Sequence, residues 1–248
     1  MAGSRRKVGV IAAAVVVLAV VGFAGWWLFI RDDAPPEADL ETASETLDET
    51  EDDTAAGDSV DGVDGVDGDW TVDTSVGSFD DFSSTWAGYR FDEEVAGVGT
   101  NTAVGRTPDV TGTMTVEGSD VTAVDVEVDM TTLQSDSGTR DSALRTRGLE
   151  SDQFPTATFS LTEPLALPEG ADSGETVTVA ATGDLTIHGV TRPVTLDLEA
   201  TLSGDVAAVV GSAPVLLGDY DIDPPTGFSV LSIDDEGLFE FQLFFARG

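Results

Sequence analysis

The sequence predicts an all-β fold, an antiparallel sandwich or barrel, over residues 70–248. Three observations carry that expectation. Val124-Asp125-Val126-Glu127-Val128-Asp129-Met130 alternates apolar and acidic residues without exception, the pattern of a strand with one dry and one wet face. Further runs rich in Val, Thr, Leu and Phe follow at short intervals, punctuated by Gly, Pro and Asp. No long apolar helical stretch separates them, whereas a parallel sheet needs a crossover of a dozen or more residues between strands.

The elements before that domain are set by charge. The chain has 248 residues and a formal net charge of -36, with 47 Asp plus Glu against 11 Lys plus Arg. Residues 1–7 are basic through Arg5, Arg6 and Lys7, and 23 uncharged residues follow, beginning at Val8 and ending at Ile30. As a helix they would extend roughly 34 Å, enough for a hydrocarbon core of roughly 30 Å. Trp26 and Trp27 stand where indole rings favour the interface, and Trp26 to Ile30 occupy the place where a cleaved leader would carry small residues. The expectation is an uncleaved single-pass anchor in the cell membrane. With the bases ahead of it, the N-terminus is cytoplasmic and everything after Arg31 extracytoplasmic.

Residues 31–69 contain 16 acids and, after Arg31, no base, and they end in the repeat Asp61-Gly-Val-Asp64-Gly-Val-Asp67-Gly. No usable apolar period is present, so the segment reads as a disordered acidic linker. The Asp spacing of three in the repeat does not match the calcium-loop pattern, whose acids stand two apart.

Within the domain, strands are expected at 124–130, 156–161, 177–181, 184–187, 194–200 and 238–245. Turns are expected at 117–120, 188–191 and 235–237, and one short helix at 139–149. The large apolar residues of these strands are candidates to line an interior: Val126, Val128 and Met130; Phe159 and Leu161; Val179; Leu185 and Ile187; Leu196 and Leu198; Phe239, Phe241 and Leu243. A barrel of eight strands is the size whose interior is either filled by side chains or holds one small ligand.

Composition excludes much chemistry. The chain has no Cys and one His, so disulfides, thiolate catalysis and multi-Cys or multi-His metal sites are absent, and no metal or cofactor is expected. Its charge sets it against nucleic acid. His188 has no nucleophile and oxyanion site arranged around it in the sequence, so no enzyme activity is expected.

Three stretches then carry a family resemblance. Thr139-Arg140-Asp141, Phe154-Pro155-Thr156-Ala157-Thr158-Phe159, and Gly183-Asp184-Leu185-Thr186-Ile187-His188-Gly189-Val190-Thr191-Arg192-Pro193-Val194 closely resemble the YceI-like lipid- and polyisoprenoid-binding family, in order and in spacing. The resemblance is to its membrane-anchored, actinobacterial-type members. It implies a lipocalin-like barrel of about eight antiparallel strands around an elongated apolar cavity that holds an isoprenoid chain, such as a polyisoprenoid lipid or an isoprenoid quinone. Arg140, Asp141, His188 and Arg192 then become candidates for headgroup contact or for fixing the motif's loops. The sequence departs from the family at Ala143, where its R-D-x-H-L motif has His, and near the C-terminus, where Asp219-Tyr220-Asp221 stands in place of R-S-D-F-G. The leading reading is a membrane-tethered lipid binder that sequesters or carries its ligand. The alternative is an envelope-stress or protein-interaction module with a filled barrel, its protein partners unspecified by the sequence.

Overall fold

The computed structural model of the chain describes residues 34–54, 65–227 and 229–248, and for 51–54 the backbone alone. The basic start, the expected anchor at 8–30 and linker residues 55–64 lie outside these residues. Among the described residues no helix is long and apolar enough to cross a membrane.

In chain order the elements are α1 (Leu40–Thr54), β1 (Gly68–Asp73), β2 (Trp86–Val95), β3 (Gly99–Thr107), β4 (Val110–Glu117), β5 (Asp120–Asp129), β6 (Gln134–Ser135) and α2 (Gly138–Thr146). There follow β7 (Thr156–Leu161), β8 (Leu165–Ala166), β9 (Val177–Ile187), β10 (Val190–Ser203), β11 (Val206–Leu216), β12 (Val230–Ile233) and β13 (Glu236–Arg247). Eight strands, β1-β4-β5-β7-β9-β10-β11-β13, pair in that order, and β13 pairs back onto β1, so the expected antiparallel barrel is closed. β13 pairs with β11 along one edge. Along the other it pairs first with β2, over Leu238 to Gln242, and then with β1, over Phe244 to Arg247. From β2 the sheet continues outward through β3 to β6, with β12 beside the far end of β2.

The two strands expected at 177–181 and 184–187 are one, β9, paired with β10 without interruption from Val177 to Ile187. Gly183 does not break it, because an inward Cβ there would lie 2.4 Å from the Phe159 ring, whose edge fills the space instead. The turn between β9 and β10 has positive φ at both central residues, His188 (53°) and Gly189 (74°), as a two-residue turn matched to strand twist requires. The expected helix at 139–149 is shorter, ending at Thr146, and it is capped by the Ser137 hydroxyl, which accepts from the Arg140 N–H.

The linker reading is corrected between residues 40 and 54. Asp39 Oδ1 accepts the Glu41 N–H at 3.1 Å and starts α1. Leu40, Ala43 and Leu47, spaced to share one helix face, are buried against Val76, Ala208, Val210 and Phe244 on the outside of the barrel. The three apolar side chains are too few to build a core of their own. They become a docking face only because β11 and β13 carry apolar residues on the face away from the interior.

Before α1 the chain is held by charge. Glu240, Arg106 and Arg90 point outward from adjacent strands, yet Glu240 is 1 % and Arg106 2 % exposed. Arg106 Nη2 donates to Glu240 Oε1 at 2.9 Å, and Arg90 Nε to Glu240 Oε2 at 3.4 Å. Arg90 Nη2 also donates to the Pro35 carbonyl at 2.6 Å, and Arg106 Nη2 to that of Pro36. The Arg106 guanidinium lies 3.7 Å from the centre of the Trp86 ring. Burial pushes the Arg106 guanidinium below its ordinary value, and the bond to Glu240 opposes that shift. Because one carboxylate serves the buried Arg106 and the partly buried Arg90, Glu240→Ala leaves both uncompensated and should cost about 3–5 kcal/mol. Urea unfolding followed by far-UV circular dichroism should show a lower midpoint with an unchanged slope.

Candidate functional site

The inward residues of the barrel line a cavity of about 150 Å³. Its lining is made of Val, Leu, Ala, Phe, Met and Trp, with Thr158 and Thr201 the only residues carrying a hydroxyl. Trp70 contributes its ring, while its indole N–H is donated to the Val66 carbonyl at 3.1 Å. A volume of this size has room for about five waters by size alone, yet it offers them almost no polar partner, so it should stay dry. Ala87, Ala157, Ala181, Ala200 and Ala207 stand at lining positions where larger residues would close it.

Of the interior residues expected from sequence, Val126, Val128, Phe159, Leu161, Val179, Leu185, Leu196, Leu198, Phe239, Phe241 and Leu243 line this cavity. Met130 and Ile187 do not. They line a smaller neighbour of about 40 Å³ towards α2, because β5 and β9 run past the end of the main cavity. The wall formed by Val66, Trp70, Met114 and Val116 escapes the sequence reading, although Met114 and Val116 alternate with threonines in the pattern that marks β5. Leu165, Leu167 and Ala171, from the segment that follows β7, also reach the cavity, and nothing periodic announces them.

The smaller cavity shares Ala87, Val128 and Phe239 with the main one. At its other end it shares Tyr89, Phe91, Leu149, Leu217 and Ile222 with a cleft of about 550 Å³ beneath α2. The three voids therefore form a series from the barrel interior to one end. The cleft is mixed in character. Glu93, 3 % exposed, accepts from Arg140 Nη2 at 2.6 Å and from Asn101 Nδ2 at 2.9 Å. Burial pushes Arg140 down, but Glu93 and Asp136 beside it outweigh that and hold the guanidinium above its ordinary value.

The four motif residues are not gathered into one pocket. Arg140 bridges Glu93 and Asp136 in the cleft. Asp141 Oδ1 accepts from the Ser135 hydroxyl at 2.6 Å and from its N–H at 3.0 Å, tying α2 to β6. His188 Nδ1 lies 3.1 Å from the Tyr220 carbonyl and Nε2 3.0 Å from Glu150 Oε2, with the ring edge-on to Phe154. Arg192 Nε donates to the Asp219 carbonyl at 2.9 Å. His188 and Arg192 thus fasten the β9–β10 hairpin to the segment after β11. That segment is where the sequence departs from the family's C-terminal pattern.

Residues 69–245 match the family described as YceI-like domain. A UPF0312 protein of Pseudomonas aeruginosa strain LESB58 is 31% identical over 177 residues, 61% of this chain and 87% of that protein. One from Vibrio parahaemolyticus is 33% identical over 106 residues, 40% of this chain, so that the chain spans about half the length, 52%, of that relative. Among solved structures, a polyisoprenoid-binding domain from Saccharophagus degradans aligns with a TM-score of 0.53 at 17% identity, covering 72% of this chain and 98% of its own. BcnA of Burkholderia cenocepacia aligns with a TM-score of 0.51 at 15% identity, covering 64% and 95%. At these identities the structural likeness establishes the fold.

The chain's two tyrosines, Tyr89 and Tyr220, both have buried hydroxyls without a hydrogen-bond partner among the described residues. Burial pushes the Tyr89 phenol far above its ordinary value of 10.0, and burial likewise raises Tyr220. An unfolded chain loses these protons near pH 10 while the folded one keeps them, so the unfolded state then binds fewer protons and stability falls as pH rises. Thermal melts should decline above pH 10, with tyrosinate absorbance appearing only on unfolding. Tyr89→Phe should shed part of that alkaline loss without lowering stability at neutral pH, since it removes an unpaired hydroxyl.

Proposed function

The chain belongs to the YceI-like domain family, and on that premise we propose that its barrel binds an isoprenoid-type lipid, a polyisoprenoid or an isoprenoid quinone, and sequesters or carries it. One observation carries this reading: the interior is a continuous apolar cavity in place of a closed core, with almost no polar atom along its wall. Each CH₂-sized group moved from water into such a cavity contributes about 0.8 kcal/mol, so a flexible apolar chain needs no exact polar contact to bind. The polyisoprenoid-binding domain from Saccharophagus degradans, similar in fold, adds support from its own described ligand.

The rest of the reading is proposed with it. The segment 8–30 anchors the chain in the cell membrane by a single pass, and everything after Arg31 stands on the extracytoplasmic side. The protein acts as a binder and not as an enzyme. That reading is supported by the engagement of both ring nitrogens of His188, its one histidine, by Tyr220 and Glu150.

A second reading is favoured by one observation, the volume. About 150 Å³ is below the ~300 Å³ at which pockets for drug-sized ligands begin. A filled barrel acting as an envelope-stress or protein-interaction module needs no more. Under the lipid reading, side chains such as Phe159, Phe239 and Phe241 must rotate outward as the ligand enters.

Mass spectrometry of organic extracts from the full chain, purified from its native membranes, separates the two. A stoichiometric isoprenoid lipid is expected, and its absence together with no thermal shift on adding isoprenoids overturns the lipid reading. Ala181→Phe places a ring in the cavity at a destabilisation of about 1–3 kcal/mol. It should fold and lose the lipid. His188→Ala should lower the melting temperature through its lost bonds, about 1–3 kcal/mol for a partner left unsatisfied, and leave the lipid load unchanged.

A further inference from the structure

Three large apolar side chains are exposed among the described residues: Leu231 at 61 %, Val98 at 54 % and Leu216 at 42 %. The strand registers place all three at one end of the barrel. Leu216 pairs with Glu236, the first residue of β13. Val98 lies in the turn between β2 and β3, beyond the pair Val95↔Gly99, and Leu231 lies in β12, which pairs with the same far end of β2. The cleft beneath α2 lies there, with Val98, Val230 and Ile233 in its lining, and shares walls with the smaller cavity, which in turn shares walls with the barrel interior.

The N-terminal segment bears on which way this end faces. Pro35 and Pro36 are held at Arg90 and Arg106, and α1 then runs away from the β2–β3 turn, towards Val206 and Phe244 near the β10–β11 turn. From Pro35 onward the described chain therefore runs away from the end that carries the exposed apolar residues. Five peptide steps separate Ile30 from Pro35, a reach of at most about 18 Å. Along β2, five residues separate Arg90 from Val95, about 16 Å at the usual strand rise. The β2–β3 turn thus projects about as far from the Arg90 clamp as the chain can extend before it must enter the bilayer.

We propose that this end, formed by the β2–β3 turn, β12 and the end of β11, rests on the lipid surface and opens the cleft to it, so that an apolar chain passes between bilayer and barrel without crossing water. The inference rests on the reading of 8–30 as an anchor. Asp92, Glu94, Asp234, Asp235 and Glu236 lie around the same end, so the surface that it fits is zwitterionic rather than anionic. The apolar tips supply the attraction and the acids oppose anionic headgroups.

The chain contains no cysteine, so single replacements can carry a fluorophore. Full-length protein labelled at Val98→Cys, at Leu231→Cys or, at the opposite end, at Ser203→Cys is reconstituted into phosphatidylcholine vesicles containing a lipid-borne quencher. Labels at 98 and 231 should be quenched several-fold more than the label at 203, and replacing part of the lipid with phosphatidylglycerol should reduce the difference. Protein that does not float with the vesicles disproves the anchor itself. Protein that floats with equal quenching at all three positions keeps the anchor and overturns the docking. Labels at 98 and 231 that are shielded in native membranes but unquenched in pure lipid assign this end to a protein partner and also overturn it. Loss of the bound isoprenoid with quenching intact would instead count against the lipid-binding reading alone.

Discussion

The structure depends on the closure of its strands through β13. A barrel can be apolar inside only if every inward-facing backbone group finds its partner within the sheet, since the interior offers no water to replace it. β13 meets that requirement with three partners: β11 along one edge, β2 and then β1 along the other. With the ring closed, every one of the eight strands has a neighbour on both sides over part of its length, and the inward side chains are free of any polar duty. The cavity is a by-product of that freedom combined with alanines at positions that larger residues would fill.

β13 is also covered on its outer face, and that second layer holds the N-terminal segment against the barrel. Glu240, Gln242 and Phe244 point outward and are nonetheless buried. Phe244 meets α1, Gln242 Nε2 donates to the carbonyls of Phe82, Ser83 and Ser84, and Glu240 holds two arginines that in turn hold Pro35 and Pro36. A buried ion triad of this kind is weak evidence for stability, because desolvation offsets most of its Coulomb energy. Its effect is geometric. It fixes Pro35 and Pro36 against β2 and β3, and so the point on the barrel from which α1 sets out.

Legibility in the sequence followed the number of faces a segment buries. β5 has one dry face, and its strict alternation revealed both the strand and the inward residues Val126 and Val128. β11 buries both faces, so Ala207-Ala208-Val209-Val210 reads as a continuous apolar run and hides which residues face in. α1 was hidden for the complementary reason. Leu40, Ala43 and Leu47 are a face only when another surface lies opposite, and most of that surface, Ala208, Val210 and Phe244, is built by residues more than 150 positions away. The cleft was equally out of reach, since Glu93, Asn101 and Arg140 meet through the packing of β2, β3 and α2.

By itself the sequence determined the β class, the antiparallel pairing, the family and most of the inward residues, because period-two patterning and local motifs are properties of neighbouring positions. It also excluded thiol and multi-histidine chemistry by composition alone. Only the tertiary structure decided how the ring closes through β13, that an interior void survives with a smaller void and a cleft in series at one end, and that residues 34–47 are docked. Each of these is a matter of which distant surfaces meet and how completely they fill the space between them. A local pattern records the polarity of a surface but not the partner that covers it.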